Sequence, residues 1–194
     1  MATVLFVKPD DKKKRVNIGI TDEDGTTVTL TVKERTYTSL GSPIRGDEIG
    51  ERELLDMRFE DEVIRAFRKA VSLIADVDRS RYELRAKLSF AGYSAEAVDI
   101  AISACERYGY LDEVRQLEHL VEREANRKLR GKYYIKRKLM SKGYSSSDID
   151  RVTRALVERG EVDFDANFRL LAEKKCLNDE DMITALKYKY GYKI

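Results

Sequence analysis

Histidine is nearly missing from this chain of 194 residues: His119 is the only one, which leaves little for acid–base chemistry near neutral pH. Cysteine is almost as scarce. Cys105 and Cys176 sit far apart in the chain at apolar helix positions, which excludes a disulfide framework and fits reduced thiols in a cytoplasmic protein. With only two prolines and eleven glycines, there is little to interrupt long helices. No apolar run reaches membrane-spanning length, and the Ala2 to Val7 stretch, soon followed by Pro9 and acidic residues, is too short for a signal peptide or a span. A Gly-rich nucleotide loop, HExxH, CxxC and a nucleophile elbow are all absent. These absences argue for a binding protein rather than an enzyme, with no metal or cofactor expected.

What the chain does have is charge, at 37% of residues, with a net value of only +2 because the two signs are segregated. From Asp47 to Glu62 eight acidic residues face two arginines, a pattern that reads as a solvated linker and helix start. Between Ala125 and Ser147 there is no acidic residue, yet Arg127, Lys128, Arg130, Lys132, Lys136, Arg137, Lys138 and Lys142 all fall there. Such a stretch repels itself unless an anionic partner meets it.

The chain also repeats. A shift of 51 residues superposes Arg79, Tyr82, Lys87, Leu88, Gly92, Tyr93, Ser94, Asp99, Ala104, Gly109 and Asp112 on Arg130, Tyr133, Lys138, Leu139, Gly143, Tyr144, Ser145, Asp150, Ala155, Gly160 and Asp163. Apolar spacing near 3.6 predicts three helices per repeat. The first carries Val63, Phe67, Ala70, Val71 and Ile74, or Val114, Leu117, Leu120 and Val121. The short second carries Leu84 and Leu88, or Ile135 and Leu139, and ends at Gly92 or Gly143, where glycine takes a left-handed C′ conformation. Ser94 or Ser145 caps the third, whose stripe is Val98, Ala101, Ile102 and Cys105, or Ile149, Val152 and Leu156. A shortened third repeat runs from Phe168 to the Gly191-Tyr192 pair.

The first fifty residues read differently. Val16 to Ile20 and Thr26 to Val32 are β-prone and are separated by Asp22-Glu23-Asp24-Gly25, a hairpin turn rather than a cation site. A ribbon of two strands needs support, either from a third strand at Val4 to Val7 or from the first helix. The expected fold class is mainly α: an elongated array of three-helix repeats behind a small N-terminal β module. The divisions are 1–50, 51–111, 112–162 and 163–194.

Positive sign repeats along with hydrophobicity, since Arg79, Arg81, Arg85 and Lys87 coincide with Arg130, Lys132, Lys136 and Lys138. These stems can simply cover the core while their heads stay in water. The alternative is a polyanion or an acidic protein surface as partner. Tyr82, Tyr133 and Tyr134 are interleaved with the cations, a combination suited to stacking on single-stranded bases.

Together, Arg79-Ser80-Arg81-Tyr82-Glu83-Leu84, the two Gly-Tyr-Ser junctions and Gly109-Tyr110-Leu111-Asp112 resemble the RecX family of bacterial recombinase regulators, over roughly residues 15 to 194. The resemblance implies a non-enzymatic protein of recombination, DNA repair and the SOS response; a cytoplasmic location, from the cysteines and the short N-terminal apolar run, and a monomer are expected beside it. Such a protein binds along the groove of the RecA filament and restrains ATP hydrolysis and strand exchange, with DNA a further candidate partner. The candidate site residues, read from the repeated basic charge and the interleaved tyrosine, are Arg79, Arg81, Arg85, Lys87, Arg127, Lys128, Arg130, Lys132, Tyr133, Lys136, Arg137, Lys138 and Lys142. Two rival readings are a helix-turn-helix DNA-binding regulator and a structural adaptor that binds proteins.

Overall fold

The computed structural model describes residues 1–175 and 180–192, so Cys176 and the last two residues lie outside the described part. The chain forms two compact units, one of residues 1–73 with 87–108 and the other of residues 74–86 with 109–194.

In the first unit, β1 (Ala2–Asp10), β2 (Arg15–Asp22), β3 (Thr27–Lys33) and the two-residue β4 (Glu48–Ile49) make an antiparallel sheet in the order β3-β2-β1-β4. Its hairpin turn is closed by Asp22 and Thr26, with Gly25 at φ 81°. The register pairs Val4 with Ile20 and Val7 with Ile18, with an irregularity between Val4 and Phe6. There the Phe6 ring covers Gly19, where a Cβ would fall 2.2 Å from it. Between β3 and β4 lies the short α1 (Glu34–Ser39). On the core side Val4, Val16, Ile18, Ile20, Leu30 and Val32 pack with Leu54 and Met57 of α2 (Glu51–Asp76). The support that a hairpin needs thus comes from both a third strand and the first helix.

The acidic run departs from the expectation of a solvated linker, because α2 is one helix of 26 residues whose carboxylates are used inside the unit. Asp61, only 5% exposed, accepts the Thr31 amide at 2.9 Å and holds Arg65 at 2.7 Å. Glu60 accepts the Lys33 amide at 3.1 Å and pairs with its ammonium at 2.9 Å. Backbone donors at the sheet's free edge therefore end on side chains of the adjacent helix, which keeps that edge from recruiting another strand. Glu62 accepts both the amide and the hydroxyl of Ser94 at the start of α4 (Ala95–Arg107). Burial in that helix pushes the Cys105 thiol up to about 11, which makes it unreactive.

The second unit contains the N-terminal part of α3 (Arg81–Phe90), then α5 (Glu113–Glu122), which runs on into a π-helical turn over Arg123–Arg127. After it come α6 (Lys132–Ser141), α7 (Ser146–Glu158), α8 (Phe164–Lys174) and α9 (Glu180–Tyr190). Leu117, Leu120, Val121, Ile135, Leu139, Ile149, Val152 and Leu156 form one core. A smaller core of Leu129, Leu171, Leu186 and Tyr192 joins α8 and α9 to the chain before α6. Asp112 and Asp163 cap α5 and α8, and Ser145 caps α7. Each second helix ends on a glycine at positive φ, 88° at Gly92, 86° at Gly143 and 76° at Gly191. The amide of the following tyrosine then bonds back five residues, to Leu88, Leu139 and Lys187.

Candidate interface on the repeated basic helices

With Ile135 and Leu139 directed into the core, the 3.6-residue period turns Tyr133, Arg137 and Met140 of α6 outward and places Lys136 and Lys138 on its flanks. The flanking lysines meet carboxylates from outside the basic stretch. Glu124, in the π turn and 1% exposed, pairs with Lys128 at 2.8 Å and with Lys138 at 2.9 Å. The Lys138 contact is charge against charge without good hydrogen-bond alignment, because Oε2 of Glu124 has no bonded donor. Burial pushes the Glu124 carboxyl up, but the Lys128 hydrogen bond and the close charges of Lys128 and Lys138 outweigh it and leave the group below its ordinary value. Lys136 pairs with Asp150, and Lys142 lies 4.0 Å from Glu83.

This corrects the picture of an uncompensated basic stretch. A window along the sequence shows no acid, whereas the fold supplies Glu124, Asp150 and Glu83. Arg130 is held in a different way, with its guanidinium 4.4 Å from the ring centre of Tyr134 and 4.6 Å from that of Tyr190. Arg127, Lys132 and Arg137 are exposed and make no ion pair among the described residues. In the first unit Lys87 is likewise exposed. Arg79, Arg81 and Arg85 are half-buried and engaged with neighbours.

Within the second unit the second helices are linked end to end. The Ser80 hydroxyl donates to the Lys142 carbonyl, and Tyr82 lies where a Cβ on Gly143 would be, 2.3 Å from that position. One repeat further on, Gly131 donates to Tyr190 at 2.8 Å, Tyr133 donates to Gly191 at 3.0 Å, and Tyr134 occupies the space beside Gly191. Each second helix therefore starts on the glycine that ends the next, and the outward side chains of α6 continue onto α9. Tyr188 and Lys189 are the surface residues that the sequence reading missed. Their signal was the Lys187-Tyr188-Lys189-Tyr190 run in the last turn of α9.

Among the described residues no group of histidine, cysteine and carboxylate side chains is arranged to hold a metal, and no helix is long and apolar enough to cross a membrane. No family model matches the chain. Proteins named Regulatory protein RecX do match it. The one from Clostridioides difficile (strain 630) is 27% identical over 174 residues, 88% of this chain and 78% of that protein. The one from Clostridium tetani (strain Massachusetts / E88) is 28% identical over 182 residues, 92% of this chain and 80% of its own length. Along most of its length the chain is similar to RecX proteins. Another RecX, from Chlorobium phaeobacteroides (strain BS1), is 31% identical over 88 residues, and this chain spans only 58% of its length. Among solved structures, a crystal structure of regulatory protein RecX covers all of this chain and 95% of its own, with a TM-score of 0.73 at 18% identity. RecX from Lactobacillus salivarius covers 67% of this chain, with a TM-score of 0.55. At such identities these structures speak for the RecX fold, a helical chain with a small N-terminal sheet. These relatives are named as regulatory proteins.

Proposed function

We propose that this chain binds the RecA–DNA filament and lowers its ATPase and strand-exchange activity in recombination and repair. The observation that carries this reading is the linked row of second helices: Lys132 and Arg137 project from α6, and Arg127 from the π-helical turn before it, without an ion-pair partner among the described residues. A surface that repeats along the chain suits a target whose subunits repeat. On this reading the repeats at 51–111, 112–162 and 163–194 each contribute one second helix. Lys128, Lys136, Lys138 and Lys142 then serve the fold at least as much as the partner.

That division sets the test. Changing Arg127, Lys132 and Arg137 together to Gln removes only projecting charge, so the thermal melt should stay the same. The concentration needed to halve RecA ATPase on single-stranded DNA should rise by on the order of tenfold, as expected when steering charge is lost. Unchanged inhibition across several salt concentrations sinks the proposal. A helix-turn-helix reading is less well supported, because α7 opens with Asp148 bonded to Ser145 and Arg151, an acidic start that repels phosphate.

A further inference from the structure

We infer that the cleft between α6 and α9 is a stacking platform for single-stranded nucleic acid. The cleft has a volume of 490 Å³, and Tyr133, Arg137, Tyr188 and Lys189 line it together with Tyr134 and Gly191. Among the described residues no carboxylate side chain lines it. Tyr133 is 58% exposed and Tyr188 79% exposed, so neither ring contributes much to the core. A single exposed ring is ordinary on a protein surface. Two rings in one concave surface, each beside an exposed cation, make a more specific arrangement.

The chemistry selects the ligand. Phosphates match Arg137 and Lys189, while the ring faces match bases that are free of a duplex, since every base has a π face to stack. A duplex hides those faces. An acidic peptide would satisfy the cations and leave both rings without a counterpart. Tyr133 also borders a second cleft, of 570 Å³, with Lys132, Phe168, Arg169 and Lys187, so the surface continues past the first base. Asp165 is the one acid there.

The platform is formed in advance. Its floor is the junction at which Gly131 bonds to Tyr190, Tyr133 bonds to Gly191, and the Tyr192 hydroxyl donates to Leu129 at 3.1 Å. A side chain on Gly191 would collide with Tyr134, so the two helix ends are locked in register. The backbone that carries both rings is thereby fixed, so only side-chain freedom is lost when a base arrives.

The inference does not depend on the filament reading, and its test contains no recombinase. Anisotropy of a fluorescent thymidine oligomer, and of a hairpin duplex of similar length, is titrated with the full chain. Tyr133→Ala with Tyr188→Ala should weaken strand binding at least about thirtyfold, two stacking contacts being lost. Tyr133→Phe with Tyr188→Phe should restore it to within roughly twofold, because stacking needs the ring and not the hydroxyl. Arg137→Gln with Lys189→Gln should lower the slope of log affinity against log salt by about 1.4, two single-strand phosphate contacts being lost. All these side chains are exposed, and an unchanged circular-dichroism melt verifies the fold. Strand binding that survives the alanine pair overturns the inference, as does a duplex bound as tightly as the strand. Poly-glutamate that displaces the strand with equal potency, with only the Gln pair weakened, would assign the cleft to an acidic protein instead.

Discussion

Residues 87–94 and 138–145 are two copies of one junction, and the structure gives them the same local form but different surroundings. In both, glycine lies near φ 87°, the tyrosine amide bonds back five residues, and serine caps the next helix. Around Gly92 there is open space, whereas Gly143 lies against Tyr82. Lys87 is exposed, whereas its counterpart Lys138 rests on Glu124; the first-copy position matching Glu124 is Leu73. Tyr93 is half-buried, whereas Tyr144 is buried and donates to Gln116, whose own counterpart is Arg65. Helix-ending rules thus reproduce a junction wherever the motif occurs, while its role depends on residues 14 to 61 positions away in the chain.

The glycines should separate the two copies most strongly. Valine at Gly92 meets only backbone strain, worth about 1–2 kcal/mol. Valine at Gly143 meets the same strain and also displaces Tyr82, adding about 1–3 kcal/mol of overpacking. Melting of the two single variants should show a fall in Tm two to three times larger for Gly143→Val. Equal falls would mean that Tyr82 moves aside freely and that the end-to-end link between second helices adds little to stability.

Next in size is the effect of the buried carboxylate that only the second copy has. Glu124→Gln keeps the shape and removes the charge that holds Lys128 and Lys138. Because those lysines are 49% and 32% exposed and can turn to water, the loss should be about 1–2 kcal/mol at pH 7 rather than that of a fully buried pair. The folded carboxyl titrates below its unfolded value, so its stabilisation is complete above the unfolded pKa of about 4.3 and is lost as pH falls through the folded value. Urea unfolding should therefore show a gap between parent and variant at neutral pH that closes on acidification. A gap that persists at pH 3 would mean that packing, not charge, is what Gln disturbs.

These contrasts mark how much of the molecule was legible in the sequence. The junctions were, because left-handed glycine, serine and aspartate caps and an alternating apolar stripe are local signals: Leu84, Leu88, Ile135 and Leu139 are all buried. The face of α2 was less so. Val63, Phe67, Val71 and Ile74 are only half-buried, while Leu54, Met57, Asp61, Ile64 and Ala66 are buried, because half of this helix serves the sheet. Val114, expected on the apolar face of α5, is 44% exposed. The charge balance of the candidate site was not legible, since Lys136 with Asp150 and Lys138 with Glu124 each span fourteen residues and two elements. The outward face of α6 followed from period alone, but its continuation onto Tyr188 required the third dimension.

The smallest expected difference concerns one hydroxyl. Tyr144 is 5% exposed, and its O–H donates to Oε1 of Gln116 at 3.0 Å, also in a buried place. Burial, reinforced by the negative charges of Glu113, Glu83 and Asp78, keeps this phenol protonated well beyond the ordinary tyrosine range, so it acts as a donor at any working pH. Tyr144→Phe leaves the ring in place and deprives Gln116 of its partner, a loss of about 1 kcal/mol. The Tyr93 hydroxyl has no protein partner among the described residues, and a half-buried ring keeps most of its packing without it. Tyr93→Phe should therefore stay within about 0.5 kcal/mol of the parent. The urea midpoint, read at constant m-value, distinguishes the two. If both variants lose the same amount, the tyrosines differ only in burial, and the specificity of the second junction rests on Gly143 with Tyr82 and on Lys138 with Glu124.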